Sequence, residues 1–255
     1  MTVDQIVPVQ YVAGPHGLRL AHRFLAGTEP ALVFLPGYMS DMAGGKAEAV
    51  LAHAAATNRA CLLLDYSGCG LSEGAFAEGT LSRWRDEVVA LIAALGIDRA
   101  VLCGSSMGGW LMLLVARALP QTVRALVGIA AAPDFTDWGF DAAQKAALAA
   151  GQTLFEDNPY GPEPTPTYAA FWRDGQAQLQ LDGAIPFDGP VRLIHGQADA
   201  DVSWETSLRH AAALRSADVQ VHLIKDGDHR LSRPQDIALL LHTLDELVGA
   251  LAGGA

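Results

Sequence analysis

The residues whose types and spacing point most directly to chemistry are Gly104-Ser105-Ser106-Met107-Gly108. They follow an apolar run at 100–103 and precede a helical pattern at 108–118. A serine at a sharp strand-to-helix turn projects its hydroxyl out of the backbone and into reach of a substrate. The turn is so tight that side chains two residues to either side of the nucleophile collide, so glycine is needed at both places. Ser106 has glycine at both; Ser105 has Cys103 and Met107 there and is rejected. A glycine-rich turn without chemistry is the bland alternative, and the strand–turn–helix context argues against it.

A serine hydroxyl needs a base. Of eight histidines, His229 lies just past the apolar run 219–224, in Gly227-Asp228-His229. That places it on a loop at the carboxyl end of the last strand, the edge where parallel strands gather such loops. His195 ends an earlier strand and is a supporting candidate. His16 sits in a hairpin turn at the wrong end, and His222 lies within a strand. His22, His53, His210 and His242 read as helix or edge residues. For the acid that orients the base, both Asp199 and Asp201 follow the run 191–194 closely enough. Such an acid fixes the imidazole tautomer and stabilises the imidazolium. Asp201, close before a helix near Trp204, also suits a helix cap. An oxyanion hole needs two backbone N–H groups. Met107, directly after the nucleophile, supplies one, and Tyr38 in the loop LPGYMSD the other.

These loops need a scaffold. Short apolar runs at 31–35, 60–64, 100–103, 125–129, 191–194 and 219–224 are hydrophobic on both parities, as strands buried on both faces are. Helical patterns alternate with them at 45–57, 81–95, 108–118, 204–215 and 236–251. The alternation predicts an α/β fold with a mostly parallel sheet covered by helices on both sides. Runs at 6–12 and 19–24, around Gly-Pro-His-Gly, predict an antiparallel hairpin at the sheet edge. One connection is too long for a simple crossover. The stretch from 133 to 189 holds 57 residues, whereas αβ loops run roughly 2–6. It contains half of the aromatic residues: Phe135, Trp138, Phe140, Phe155, Tyr160, Tyr168, Phe171, Trp172 and Phe187. We expect a small helical cap at 134–188 within a single domain spanning 1–255. Trp138 and Trp172 are its candidates for lining an apolar pocket. A subdomain with its own aromatic core accounts for the same composition.

The bulk numbers exclude several classes. Net charge is −11 with a pI near 5.0, which repels phosphate backbones and anionic headgroups, so no nucleic-acid partner is expected. No apolar run reaches the roughly 18 residues of a membrane span. Three cysteines, Cys61, Cys69 and Cys103, fit no zinc or redox spacing. With no secretory or transit pattern at the start, they read as free thiols in a cytoplasmic, reducing setting. The pairs Asp199/Asp201 and Asp226/Asp228 lie in no regular cation loop, so neither a metal nor an organic cofactor is expected.

With Ser106, Asp199 and His229 in that chain order, plus LPGYMSD and DYSGCGLS (Asp65 to Ser72), the chain resembles the α/β-hydrolase superfamily over nearly its whole length. DYSGCGLS is similar to that family's Asp-x-x-Gly-x-Gly-x-Ser loop. The runs GSSMGGW, AAPDFT and KDGDHRLSRP resemble one subgroup, comprising bacterial hydrolases and the animal mitochondrial palmitoyl-protein thioesterase that also cleaves acyl-glucuronides. The resemblance implies Asp199 rather than Asp201 as the acid. Where the superfamily usually has His-Gly in the oxyanion loop, this chain has Pro36-Gly37. It implies a serine hydrolase of esters or thioesters, acting on a small or acylated substrate with an apolar acyl group. A C–C bond hydrolase of the same fold is the runner-up, favoured by a cap lined with arginines. A non-catalytic receptor on this fold is the alternative of a different class.

Overall fold

The computed structural model describes residues 7–158 and 161–253. Among these residues there are ten strands and eight α-helices. The strands are β1 (Gln10–Ala13), β2 (Arg19–Leu25), β3 (Thr28–Leu35), β4 (Arg59–Leu64), β5 (Ala100–Ser105), β6 (Val123–Ile129), β7 (Leu154–Glu156), β8 (Thr165–Thr167), β9 (Val191–Gly196) and β10 (Val219–Ile224). The helices are α1 (Gly45–Ala56), α2 (Leu81–Ala94), α3 (Met107–Ala118), α4 (Phe135–Trp138), α5 (Ala142–Ala149), α6 (Ala169–Ala177), α7 (Glu205–Ala213) and α8 (Pro234–Gly253). Eight strands form one sheet in the order β1-β2-β4-β3-β5-β6-β9-β10. β1 and β2 pair antiparallel, as does β2 with β4, and the rest are parallel. The expected hairpin is present, but its first strand starts at Gln10, after Pro8, which has no N–H to give to a ladder. Ile6 lies outside the described residues.

The apolar parity of each strand decides its two faces, because successive side chains point to opposite sides. Leu32, Phe34, Cys61, Leu63, Val101 and Cys103 pack against Val50, Leu51, Leu244 and Leu247 of α1 and α8. Val33, Leu35, Leu62, Leu64 and Leu102 pack on the other side against Trp84, Val88, Leu91, Trp110 and Met112 of α2 and α3. The sheet is therefore buried on both faces, and its carboxyl-end loops are left to carry the site. None of the helices among the described residues is long and apolar enough to cross a membrane.

Between β6 and β9 lies the insert. Three helices, α4, α5 and α6, are accompanied by an antiparallel two-stranded sheet of β7 and β8. A small helical cap was expected and three helices are present; the extended pair is an addition, and it arises where Pro162, Pro164 and Pro166 disfavour helix. α5 begins with a capping box, in which Asp141 accepts from the Gln144 N–H and Gln144 reaches back to Asp141 N–H. Asp134 closes the insert at its base. Its carboxylate accepts from the N–H groups of Gln180 (2.8 Å) and Leu181 (2.7 Å), joining the first residue of the insert to its last turn.

Candidate active site

Ser106 occupies the step between β5 and α3 with φ +53° and ψ −119°, a conformation that strains any side-chain-bearing residue. The flanking glycines have a steric reason. A Cβ on Gly104 would lie 2.3 Å from the Gly108 carbonyl oxygen, and one on Gly108 would lie 2.1 Å from the Leu35 carbonyl oxygen. The strained turn is pinned by the Ser106 N–H, which donates to Ile129 O at 2.9 Å.

His229 follows β10 on the same sheet edge. Its Nε2 lies 3.1 Å from Ser106 Oγ, and its Nδ1 lies 2.8 Å from Asp199 Oδ2. Asp199 follows β9 and its side chain is fully buried. Burial pushes its carboxyl up. Hydrogen bonds from His195 and His229, the charge of His229 and the Val202 N–H outweigh that and hold it well below the usual carboxylate range. Asp199 Oδ1 accepts from the N–H groups of Asp201 and Val202, each at 2.9 Å. Asp201 is exposed, and the N-cap position of the following helix falls on Trp204 instead. That helix begins only at Glu205, after Trp204, with no side-chain cap, because the backbone at 199–202 turns back onto Asp199 instead. Asp199, Asp201 and His229 are the only group among the described residues whose donor atoms cluster closely enough for a metal, within 4.8 Å of one another. Asp226 pairs with Arg233, and Asp228 accepts from the Leu231 N–H.

Other histidines take the roles their positions implied. His195 is buried against Asp199, and His22 and His210 are buried. His222 is partly buried in β10, with Nε2 unpartnered.

Both sequence-chosen oxyanion residues line the cavity beside Ser106: Met107, the first residue of α3, and Tyr38, after β3. A Cβ on Gly37 would lie 3.4 Å from Ser106 Cβ, an ordinary contact distance, so this loop runs directly beside Ser106. The Tyr38 ring sits in an aromatic cluster, its centroid 4.9 Å from that of Phe171 and 5.0 Å from that of Phe76. Its hydroxyl donates to Pro166 O in β8 at 2.8 Å, and burial raises the phenol above its ordinary value. Asp65 was legible only as the first residue of the Asp-x-x-Gly-x-Gly-x-Ser stretch. Buried, it accepts from the N–H groups of Met42 (2.7 Å) and Leu71 (2.8 Å), tying the loop after β4 to the loop that carries Tyr38. Burial raises its carboxyl, against those two N–H groups. Gly70, at φ +50°, makes room: a Cβ there would fall 2.2 Å from Asp65 Oδ2.

The cavity over Ser106 has a volume of about 630 Å³. The insert contributes Phe135, Trp138 and Phe140 to its wall. Trp172 is not among the lining residues, contrary to expectation. Its Nε1–H donates to Thr136 O at 2.9 Å, and on its helix Phe171 turns into the core. Phe155 is 65% exposed, and Phe187 is buried in the main core. Tyr160 lies outside the described residues. The wall is also more polar than the aromatic count suggested, with Asp41, Lys46, Glu156, Asp157 and Arg230 around it. No local pattern marked these, since long-range folding alone brings them together. Lys46 Nζ donates to the Arg230 carbonyl, next to His229, and burial lowers its ammonium.

Comparison with known proteins agrees with this architecture. The alpha/beta hydrolase family model matches residues 32–240. The human protein named "Palmitoyl-protein thioesterase ABHD10, mitochondrial" is 35% identical over 97% of this chain and 82% of its own length. Among solved structures, mouse alpha/beta hydrolase domain-containing protein 10 superposes with a TM-score of 0.89 at 35% identity, covering 95% of this chain and 99% of its own. A hydrolase from Agrobacterium vitis S4 gives the same TM-score, 0.89, also at 35% identity, over 95% of this chain and 99% of its own. With strand order, nucleophile turn and family match in agreement, the chain belongs to the alpha/beta hydrolase family and is a hydrolase.

Proposed function

We propose that this hydrolase cleaves carboxylic esters or thioesters through an acyl-enzyme on Ser106. One observation carries the reading: the unbroken relay from Ser106 Oγ to His229 (3.1 Å) and on to Asp199 (2.8 Å). Ser106 attacks the carbonyl carbon while His229 Nε2 takes its proton. The N–H groups of Met107 and Tyr38 receive the oxyanion. Protonated His229 then gives its proton to the departing alcohol or thiol. Water, activated by the same imidazole, hydrolyses the acyl-enzyme and regenerates Ser106. Asp199 holds the imidazole in the tautomer this exchange requires. Every step uses groups of the chain itself.

The substrate class follows from the wall. Phe34, Met107, Ala132, Phe135, Trp138 and Phe140 offer an apolar surface for an acyl chain, and the residues at 134–188 act as a cap over it. The name of the human relative, a palmitoyl-protein thioesterase, supports the same preference. Each buried CH₂ is worth about 0.8 kcal/mol, close to fourfold in affinity. Among the described residues the cap gives this wall no arginine, for Arg173 donates instead to Ala149 O at 3.1 Å, and the Arg230 on the wall belongs to the loop after β10. Three buried free thiols support a reducing compartment, and we propose the cytoplasm; the relatives' names place those proteins in mitochondria.

The decisive experiment pairs fluorophosphonate labelling with p-nitrophenyl esters and acyl-thioesters of graded length. Labelling at Ser106, with kcat/KM rising from acetyl to medium or longer acyl groups, is expected. Acetyl substrates proving best would defeat the acyl-chain reading, and absence of labelling would favour a non-catalytic binding protein.

A further inference from the structure

Asp199 makes one more side-chain hydrogen bond than a relay to His229 requires. Besides His229, its Oδ2 faces His195 Nε2 at 3.1 Å. His195 lies near the end of β9, and its side chain is fully buried. The same Nε2 is 3.1 Å from the Val202 carbonyl oxygen. A carboxylate and a carbonyl only accept hydrogen bonds, so this nitrogen carries the ring proton. On the other side of the ring, Nδ1 lies 2.7 Å from Ser207 Oγ, on α7; in the neutral imidazole it accepts the hydroxyl hydrogen. The imidazole is fastened at both nitrogens. It ties together β9, the turn that bears Asp199 and the helix behind that turn.

We propose that His195 is a positioning residue for the reaction, donating from Nε2 to Asp199 Oδ2 so that this oxygen stays aimed at His229 Nδ1. The inference rests on the reading of Asp199 and His229 given above. Two N–H groups hold Oδ1, and without His195 the bond from His229 is, among the described residues, the only side-chain donor left on Oδ2. His229 is partly exposed and sits on a loop, whereas His195 is anchored in the sheet. The carboxylate is thereby oriented by the scaffold before a substrate arrives, and the reorganisation that a proton transfer would otherwise need is reduced. His195 touches neither Ser106 nor a substrate, so its effect passes through Asp199 alone.

A residue that merely fills the space behind the acid would be replaced without loss by an apolar side chain of similar volume. His195→Leu fills the space without a donor, while His195→Gln returns an N–H near the Nε2 position. For His195→Leu we expect kcat to fall about 10- to 100-fold, as for loss of a hydrogen bond to a charged group, with KM within about twofold. The rate of fluorophosphonate labelling of Ser106 should fall in step, and His195→Gln should recover most of both. A fully active His195→Leu, or a His195→Gln as impaired as His195→Leu, overturns the proposal. Should His195→Leu fail to fold, ¹⁵N NMR of the wild-type imidazoles decides: a proton on His195 Nε2 at neutral pH supports it, and an Nε2 without a proton overturns it. His229→Ala separates the two levels. Turnover retained in that variant would sink the relay reading and this inference with it. An inactive His229→Ala beside a fully active His195→Leu would sink this inference alone.

Discussion

At the residue scale the site is a chain of three side chains whose removal should not be equivalent. Ser106→Ala should lower turnover by about 10³- to 10⁶-fold, since the members of such a unit fail together. Ser105→Ala should keep most activity, because only Ser106 has the hydrogen bond to His229. A dead Ser105→Ala beside a live Ser106→Ala would mean that the turn is in the wrong frame. Asp199→Asn keeps the size of the side chain but can hold the imidazole in the wrong tautomer. A loss on the order of 10⁴ in kcat accompanies this change in a well-studied protease. Asp201→Asn should be far milder, because what Asp201 gives the acid is its backbone N–H, which asparagine retains. Steady-state kinetics of the two variants side by side checks this, and equal losses would assign Asp201 a role of its own.

At the scale of elements, the loop after β3 and the insert are coupled through Tyr38. Its backbone belongs to the proposed oxyanion hole, while its hydroxyl reaches Pro166 in β8. Tyr38→Phe removes that hydroxyl and leaves a buried carbonyl unpaired, at a cost of about 1–3 kcal/mol. Thermal unfolding should register the loss, with activity falling alongside it as the loop loosens. An unchanged Tm would show the link to be idle. The two tryptophans of the insert should also part company. Trp138 lines the cavity, so Trp138→Ala should reduce kcat/KM more for long acyl substrates than for acetyl ones. Trp172 instead ties α6 to the backbone at Thr136. Trp172→Ala should lower Tm and leave the chain-length profile unaltered. A shifted profile in Trp172→Ala would place it on the substrate path after all.

At the scale of the whole molecule, stability should depend on pH through buried titratable groups. His210 of α7 is fully buried with both ring nitrogens unpartnered, and burial lowers its pKa to about 4. The unfolded chain, with a histidine near its ordinary value of about 6.5, binds that proton first. Protonation therefore favours unfolding. The His210 contribution is neutral above about pH 6.5 and grows more unfavourable as pH falls toward 4, reaching about 3 kcal/mol. His22, lowered by burial, acts in the same direction. Asp65 and Asp134, raised by burial, act in the opposite one. Asp199, held low, loses its stabilising contribution only below the ordinary carboxylate range. Denaturant titrations of wild type and His210→Leu between pH 7 and 4 isolate the term. The difference between them should shift in favour of the variant as pH falls, and a constant difference would contradict the assignment.

Much of this was readable from sequence because it is local. Glycines at 104 and 108 declare a turn whose crowding involves neighbours a few residues away, and apolar runs on both parities declare strands covered on both faces. Ser106, His229 and Asp199 could be singled out because each sits one short loop beyond such a run, and parallel strands bring those loops to one edge, where the three side chains come within hydrogen-bond distance. Asp201 misled because a helix cap depends on where the preceding turn points, and Asp199 captured that turn. Trp172 misled because aromatic content states how much apolar surface a segment has, not which side faces the cavity. The extended pair in the insert, the bond from Tyr38 to Pro166, the charged wall of Lys46, Glu156 and Arg230, and the clasp of His195 on Asp199 all join residues distant in sequence or set by the packing of a turn. Only the tertiary structure decides such contacts, since they arise when separate loops converge on one face of the sheet.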